Sequence, residues 1–182
     1  MSAITSAEIL VKYTTLSGAA GNSTGSTPAG SLGKYVSSTP WPGGSPNDLF
    51  DDITGAENAA STVDYRCVGV HNSNGANNLV NAVAYLSAET AGGASLSLAA
   101  DTVAASAVGS AAAQMLAGTS ELAGPQTGLT YAAPTTAAAG VPLGTIPVGN
   151  VKGLWIRRTA ANTAALSNDG ATIAVTGDTG SL

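Results

Sequence analysis

The sequence predicts an all-β protein: an antiparallel β-sandwich, jelly-roll or Ig-like, preceded by an extended N-terminal arm. Three observations carry this expectation. Short runs rich in β-branched and aromatic residues recur along the 182 residues. Gly, Pro and Asn clusters punctuate them, and no long amphipathic helical period interrupts the series. The length fits one domain plus an arm and is too short for two full cores.

Ile9 to Thr15 reads as the first strand, with Ile9, Val11 and Tyr13 on one face. Ser17 to Gly33 follows, charge-free and with a single Leu, too poor in large apolar groups to order itself. Leu32 to Ser37 is a candidate edge strand, and Pro40-Trp41-Pro42-Gly43-Gly44-Ser45-Pro46 then breaks the chain. The expected boundary lies there: residues 1–46 as an arm with one or two edge strands, and residues 47–182 as the sandwich body.

In the body, Val63 to Val70 alternates, with Val63, Tyr65 and Cys67 on one side. Asn72-Ser73-Asn74-Gly75 has strong turn chemistry, and Leu79 to Leu86 reads as the returning strand of a hairpin. Ala94 to Ala99 has the period of a half-buried strand, Leu inward and Ser outward. The Ala-rich stretch Thr102 to Gly118 fits either a short helix weakened by Gly109 or a loop crossing between sheets. Gly128 to Tyr131 resembles a short strand and Leu143 to Asn150 a tight turn. Val151 to Thr159 is the clearest strand, with Leu154 and Ile156 facing one way and Trp155 the other. The turn Asn168-Asp169-Gly170 leads into a last strand, Ala171 to Thr176.

Composition bounds the function classes. Charged residues make up 9% of the chain, against about a quarter in ordinary domains. Apolar residues reach 44%, but Ala supplies 35 of them, and Leu, Ile, Val and Phe together only 35. Small neutral side chains must therefore cover most of the surface, which suits close packing against another protein. The net charge of −5 and six scattered basic residues leave no electrostatic footprint for nucleic acid. Met1 to Thr15 lacks a basic n-region, so it does not read as a signal peptide, and synthesis in the cytoplasm is expected. Leu122 to Val151 is charge-free but broken by Pro125, Pro134, Pro142 and Pro147, which argues against a membrane span.

No catalytic motif stands in a supporting context, and no cofactor or metal is expected. One Cys cannot form an internal disulfide, and no Cys/His cluster has zinc spacing. Cys67 and His71 lie four apart, roughly 13 Å along a strand at 3.3 Å per residue, too far for proton transfer. Asp48, Asp51, Asp52, Glu57 and Asp64 gather within seventeen residues. They read as a solvated acidic face, as a partner for a basic patch, or as Ca²⁺ ligands, although the spacing is not that of a calcium loop. Arg157 and Arg158 point to opposite strand faces, so one of them can meet an acid inside the domain or across an interface. Trp41, between two prolines, is a candidate anchor for a neighbour's groove or a cap on the domain's own core.

Together, Ser31-Leu32-Gly33-Lys34, Leu49-Phe50-Asp51-Asp52-Ile53, Asp64-Tyr65-Arg66-Cys67-Val68, Val70-His71-Asn72, Val148-Gly149-Asn150 and Leu154-Trp155-Ile156-Arg157-Arg158 resemble virion structural proteins of tailed bacteriophages, of the capsid cement or decoration kind. The resemblance runs from about residue 9 to residue 178. It implies a body on the outside of the capsid, bound to the major capsid protein, often as a homo-oligomer (dimer or trimer), with extended segments reaching over neighbours. A tail or baseplate position, or a receptor- or carbohydrate-binding module, is the alternative. On this reading the partner-contact candidates are Trp41, Tyr35, Lys34, Arg157, Arg158, Asp51 and Asp52.

Overall fold

The computed structural model describes residues 3–18, 24–125 and 128–181. The protein is mostly β-structure in two antiparallel sheets. The strands are β1 (Ile9–Thr15), β2 (Tyr35–Pro40), β3 (Val63–Asn72), β4 (Asn77–Glu89), β5 (Ser95–Ala100), β6 (Ser106–Ala107), β7 (Val141–Ile146), β8 (Asn150–Thr159) and β9 (Ala171–Ser181). One sheet runs β2-β1-β3-β8-β5, with β6 continuing the β5 edge along β8, and the other runs β7-β4-β9.

The two sheets enclose the larger core. Tyr13, Val68, Val70, Leu98, Leu154 and Ile156 from the wide sheet meet Leu79, Ala84, Leu86, Leu143 and Ile146 from the narrow one. The faces read from the alternation of β1, β3 and β8 are those observed: Ile9, Val11 and Tyr13 line this core, while Cys67 and Trp155 point away from it.

The opposite face of the wide sheet is also covered. Val36, Cys67, Ala99, Met115, Val151 and Trp155 form a second core, closed by Val108, Leu116, Leu129 and Tyr131 from the long β5–β7 connection. The expectation for β5 is corrected here: Ser97 and Ala99 face a second packed layer instead of water, at 8% and 0% exposure. Thr102 to Gly118 is that layer; apart from the short β6 it is loop, not helix. The one α-helix among the described residues, α1 (Gly55–Ala60), lies in the acidic segment. Thr54 and Glu57 close a capping box at its start, and Ser61 ends it in the left-handed conformation.

The arm is corrected at its first strand. β1 lies inside the wide sheet, paired with β3 from Ile9↔Asn72 to Tyr13↔Val68 and with β2 on its other side. Tyr13, Thr14, Thr15, Val36 and Ser37 are buried, so this segment belongs to the body. Of the expected flexible loop 17–33, residues 19–23 lie outside the described residues. Its far end is held at Ser31, whose Oγ donates to the Cys67 carbonyl at 2.6 Å and accepts from Thr14 N at 2.9 Å. Trp41 and residues 48–49 are also held against the body: the Trp41 amide donates to the Val11 carbonyl, the Tyr13 hydroxyl donates to the Asp48 carbonyl, and Leu49 is buried.

The expected hairpin at residues 72–75 is corrected too, since β3 and β4 belong to different sheets. The turn carries the chain across the core. Asn72 Nδ2 donates to the carbonyls of Asn77 and Ile146, and Asn74 Oδ1 accepts from the amides of Ala76 and Asn77. These bonds supply partners for backbone groups that leave one ladder before joining the next. No helix among the described residues is long and apolar enough to cross a membrane.

Because β1 supplies an inner strand, deletion of residues 1–46 is expected to abolish cooperative unfolding. Circular dichroism melts check this; an intact transition in the truncated chain would show that the body folds without β1.

Candidate functional site

The densest group of charged side chains sits where β3 and β8 run beside the 47–53 loop. Asp64 and Arg158 face each other in the β3–β8 register, and Arg66 lies two residues further along β3 on the same side. Arg158 donates to Asp64 Oδ2 from Nε at 3.0 Å and from Nη2 at 2.6 Å, and reaches the Asp51 carbonyl through Nη1. A longer contact of 3.4 Å joins Nη2 to the Asp51 carboxylate. Arg66 donates to the Leu49 carbonyl from Nε, to the Tyr65 carbonyl from Nη1, and to Glu121 Oε2 at 2.6 Å from Nη2. The ring of Phe50 lies 4.7 Å from the Arg158 guanidinium and 5.5 Å from that of Arg66.

Chemically, this is a strap. Two guanidiniums, each with several donors in a rigid fork, tie the 47–53 loop and Glu121 onto the sheet. Arg66 is 2% exposed and Arg158 8%, so the Arg158–Asp64 pair lies out of water, whereas Glu121 and Asp51 reach solvent, their side chains 43% and 68% exposed. Beside them lies a hollow of about 360 Å³ lined by Thr27, Pro28, Asn47, Asp51, Arg66 and Glu121.

The acidic segment is thus divided among separate tasks. Asp64 and Asp51 meet Arg158, Glu57 caps α1, and Asp48 accepts from Ser45 N at 3.3 Å, while Asp52 is exposed. Hydrogen bonds from Thr54 hold the Glu57 carboxyl below its ordinary pKa, as bonds from Thr5 do for Glu8. Among the described residues no three His, Cys, Asp or Glu side chains converge as a metal site requires.

The remaining contact candidates are dispersed. Arg157, on the opposite face from Arg158, stacks 4.8 Å over the Tyr131 ring and donates to Ser97 Oγ at 3.0 Å. Lys34 Nζ lies 5.3 Å from the Tyr35 ring, and the Lys34 backbone bonds to residues 114–116. Trp41 is half-buried against the larger core, where it acts as a cap, and its amide donates to the Val11 carbonyl. The structure therefore brings Arg158 and Asp51 together and leaves Trp41, Lys34, Tyr35, Arg157 and Asp52 outside that group.

A second polar group was not singled out from sequence. Asp101 is 2% exposed; its Oδ2 accepts from Trp155 Nε1 and Leu116 N, both at 2.8 Å, and its Oδ1 from Val103 N at 2.8 Å. Lys152 Nζ donates to the carbonyls of Asp101 at 2.6 Å and Val103 at 2.7 Å. Burial lowers the Lys152 pKa, with Asp101 opposing the shift. The available signal was its isolation: Asp101 is the one charged residue between Glu89 and Glu121.

Cys67 and His71 have no common task. Cys67 is fully buried, its Sγ 3.6 Å from Met115 Sδ, and burial pushes its thiol pKa well up. His71 is half-buried; burial, and then Lys12, lower its pKa.

No protein-family model, curated protein or solved structure matches the chain.

Arg158→Met is expected to cost about 3–5 kcal/mol, because Asp64 is left buried without its partner. Adding Asp64→Leu should recover part of that loss, which a double-mutant cycle in urea would measure. For His71 the folded pKa lies below the ordinary 6.5. The unfolded chain therefore binds the proton first, and this contribution to stability, full above pH 6.5, is lost as pH falls. His71→Gln should flatten the decline in unfolding free energy between about pH 7.5 and pH 5.5, measured by urea titration.

Proposed function

We propose that this chain is a non-enzymatic structural protein of a tailed-phage virion, specifically a cement or decoration protein that binds the outside of the major capsid lattice and stabilises the head. The observation that carries the reading is the disposition of charge. None of the six basic side chains is exposed: Arg66, Lys152 and Arg158 are buried, and Lys12, Lys34 and Arg157 are half-buried. The exposed charges among the described residues are all acidic: Asp51, Asp52, Glu89, Asp169 and Asp178. Between them the exposed residues are mainly Ala, Gly, Ser and Thr, which lose little hydration and little side-chain entropy when a neighbour covers them. Such a surface suits a broad, close contact of many weak interactions, with a few acids left to meet basic groups on the capsid.

The resemblance through residues 31–34, 49–53, 64–68, 70–72, 148–150 and 154–158 supports the same reading. Those segments are mainly ones that build the fold, including the Arg66 and Arg158 straps. A jelly-roll topology and a segment reaching over neighbouring subunits are the finer parts of the proposal. The glycan-binding alternative calls for an exposed aromatic platform; Trp155 is 0% exposed and Trp41 packs on the core, so neither tryptophan supplies one.

Electron cryo-microscopy of virions carrying this chain tests the proposal. The expected result is its density on the exterior of the head, and heads lacking it should rupture at lower temperature. Density confined to the tail or baseplate would overturn the capsid assignment.

A further inference from the structure

We propose that β9 is the dimerisation strand of this protein, pairing antiparallel about a two-fold axis at Ala174 with β9 of a second copy to join the two narrow sheets into one. The first observation is that the other sheet edges are guarded and the first part of this one, residues 171–174, is not. Beside β2, the Ser38 amide donates to the Thr24 carbonyl and the Ser26 amide to Thr39 Oγ1, so residues 24–26 cover that edge. β5 exchanges two backbone bonds between Leu98 and Ala132, and β6 extends its line along β8. β7 is short, carries Pro142, and turns through Gly144 at a φ of 76°. Prolines, short strands and covering segments are the usual means of blocking edge-to-edge pairing.

β9 has none of these devices along residues 171–174; further on, the Ile4 amide donates to Thr179 Oγ1 at 2.9 Å, and Ile4, Thr5 and Ser6 line a hollow with Val175, Thr176, Gly177 and Thr179. The strand spans Ala171–Ser181 without Pro, Lys or Arg, and its ladder pairs only with β4 among the described residues. The register shifts between the two strands place the extra residues on β4, at Val80–Val83 and Leu86–Ala88, so β9 itself runs without a bulge. Its inward side chains, Ile173 and Val175, pack on the larger core yet stay only half-buried. Another strand alongside would complete their cover.

The second observation, which selects a second copy as the occupant, is the sequence of the edge. Thr172-Ile173-Ala174-Val175-Thr176 is nearly palindromic about Ala174. In an antiparallel pair centred there, Ile173 faces Val175 of the other copy on the core side, and Thr172 faces Thr176 on the outer side. β-branched and Thr–Thr cross-strand pairs are among the favourable ones, and a two-fold interface requires this self-complementarity. Charge is compatible: Asp178 is the one charged residue of the strand, and Asn81 Nδ2 donates to it at 3.0 Å. The two copies of Asp178 would lie roughly 26 Å apart at 3.3 Å per residue, about three Debye lengths at physiological salt. The inference stands apart from the virion reading, since the dimer needs no capsid and capsid binding can fail while the dimer forms.

The test uses the full chain. Sedimentation equilibrium should give a dimer at micromolar concentration. Ala174→Lys, which sets two like charges face to face on the axis, should weaken association at least tenfold while the melting curve shows a folded chain. An equimolar mixture of Ala174→Lys with Ala174→Glu should restore association. If Ala174→Lys fails to fold, oxidative cross-linking decides. Ala174→Cys brings two Cα atoms to about 4.5–5.5 Å across the axis, within disulfide reach, whereas two Thr172→Cys residues stand roughly 14 Å apart at strand spacing. Rapid cross-linking of the first and not the second supports the pairing. A chain monomeric at 100 μM, a dimer indifferent to Ala174→Lys, or equal cross-linking of the two cysteine variants would overturn it.

Discussion

The carboxylate of Asp101 is the interaction on which the rest of the wide sheet depends. Residues 101–118, with Leu129 and Tyr131, pack over the second core on one face of that sheet, yet the 101–118 segment is built mainly from Ala, Gly and Ser. Apolar burial alone offers such a segment little, because Ala adds little buried area beyond its backbone. Asp101 supplies what is missing. It draws the amides of Val103 and Leu116 and the indole N–H of Trp155 to one point, and Lys152 closes over the Asp101 and Val103 carbonyls. Once Leu116 is held there, Met115 lies against Cys67 and Trp155, and Gln114 reaches Val36 N and the Ala107 carbonyl. A loop poor in large side chains is thereby fixed as a packed layer.

The same economy recurs across the sheet's other face. Arg66 and Arg158 hold the 47–53 loop much as Asp101 holds the 101–118 loop, through charge-assisted bonds made out of water. The chain has few charges, and several of them are placed inside it. That placement explains how a protein with 9% charged residues folds while only a few acids and no basic side chain stand exposed. Charge is used for internal alignment, and small side chains make up much of the exposed surface.

How far the sequence was legible follows from how local each signal is. β8 and β3 were readable because their alternation is complete within ten residues, and Leu154, Ile156 and Trp155 lie on the faces their spacing requires. The place of β1 was not readable. Its β-branched run marks a strand, but its partner is β3, some sixty residues away, and nothing in a neutral Gly/Ser loop reports that pairing. The 72–75 turn was legible as a turn, but a turn that folds back in one sheet and one that crosses to another have the same composition. The helix α1 carried a signal, Thr54 followed three residues later by Glu57, which the surrounding acids obscured. At the candidate site, the opposite orientation of Arg157 and Arg158 was legible, whereas the partners of Arg158 needed the β3 register.

The register has a consequence for the order in which the chain takes shape. β3 is flanked by β1 on one side and β8 on the other, and β8 begins only at Asn150. β3 therefore waits for nearly eighty further residues, from Asn72 to Asn150, before its second edge begins to close, and such non-local pairing is intrinsically slow. During that interval unpaired edges are exposed in a chain with few like charges to keep copies apart. The scarcity of Leu, Ile, Val and Phe then has a second meaning. A segment of small, weakly sticky residues can remain unfolded on the ribosome without collapsing into the wrong contacts, and it becomes cohesive only when the last strands give it a template.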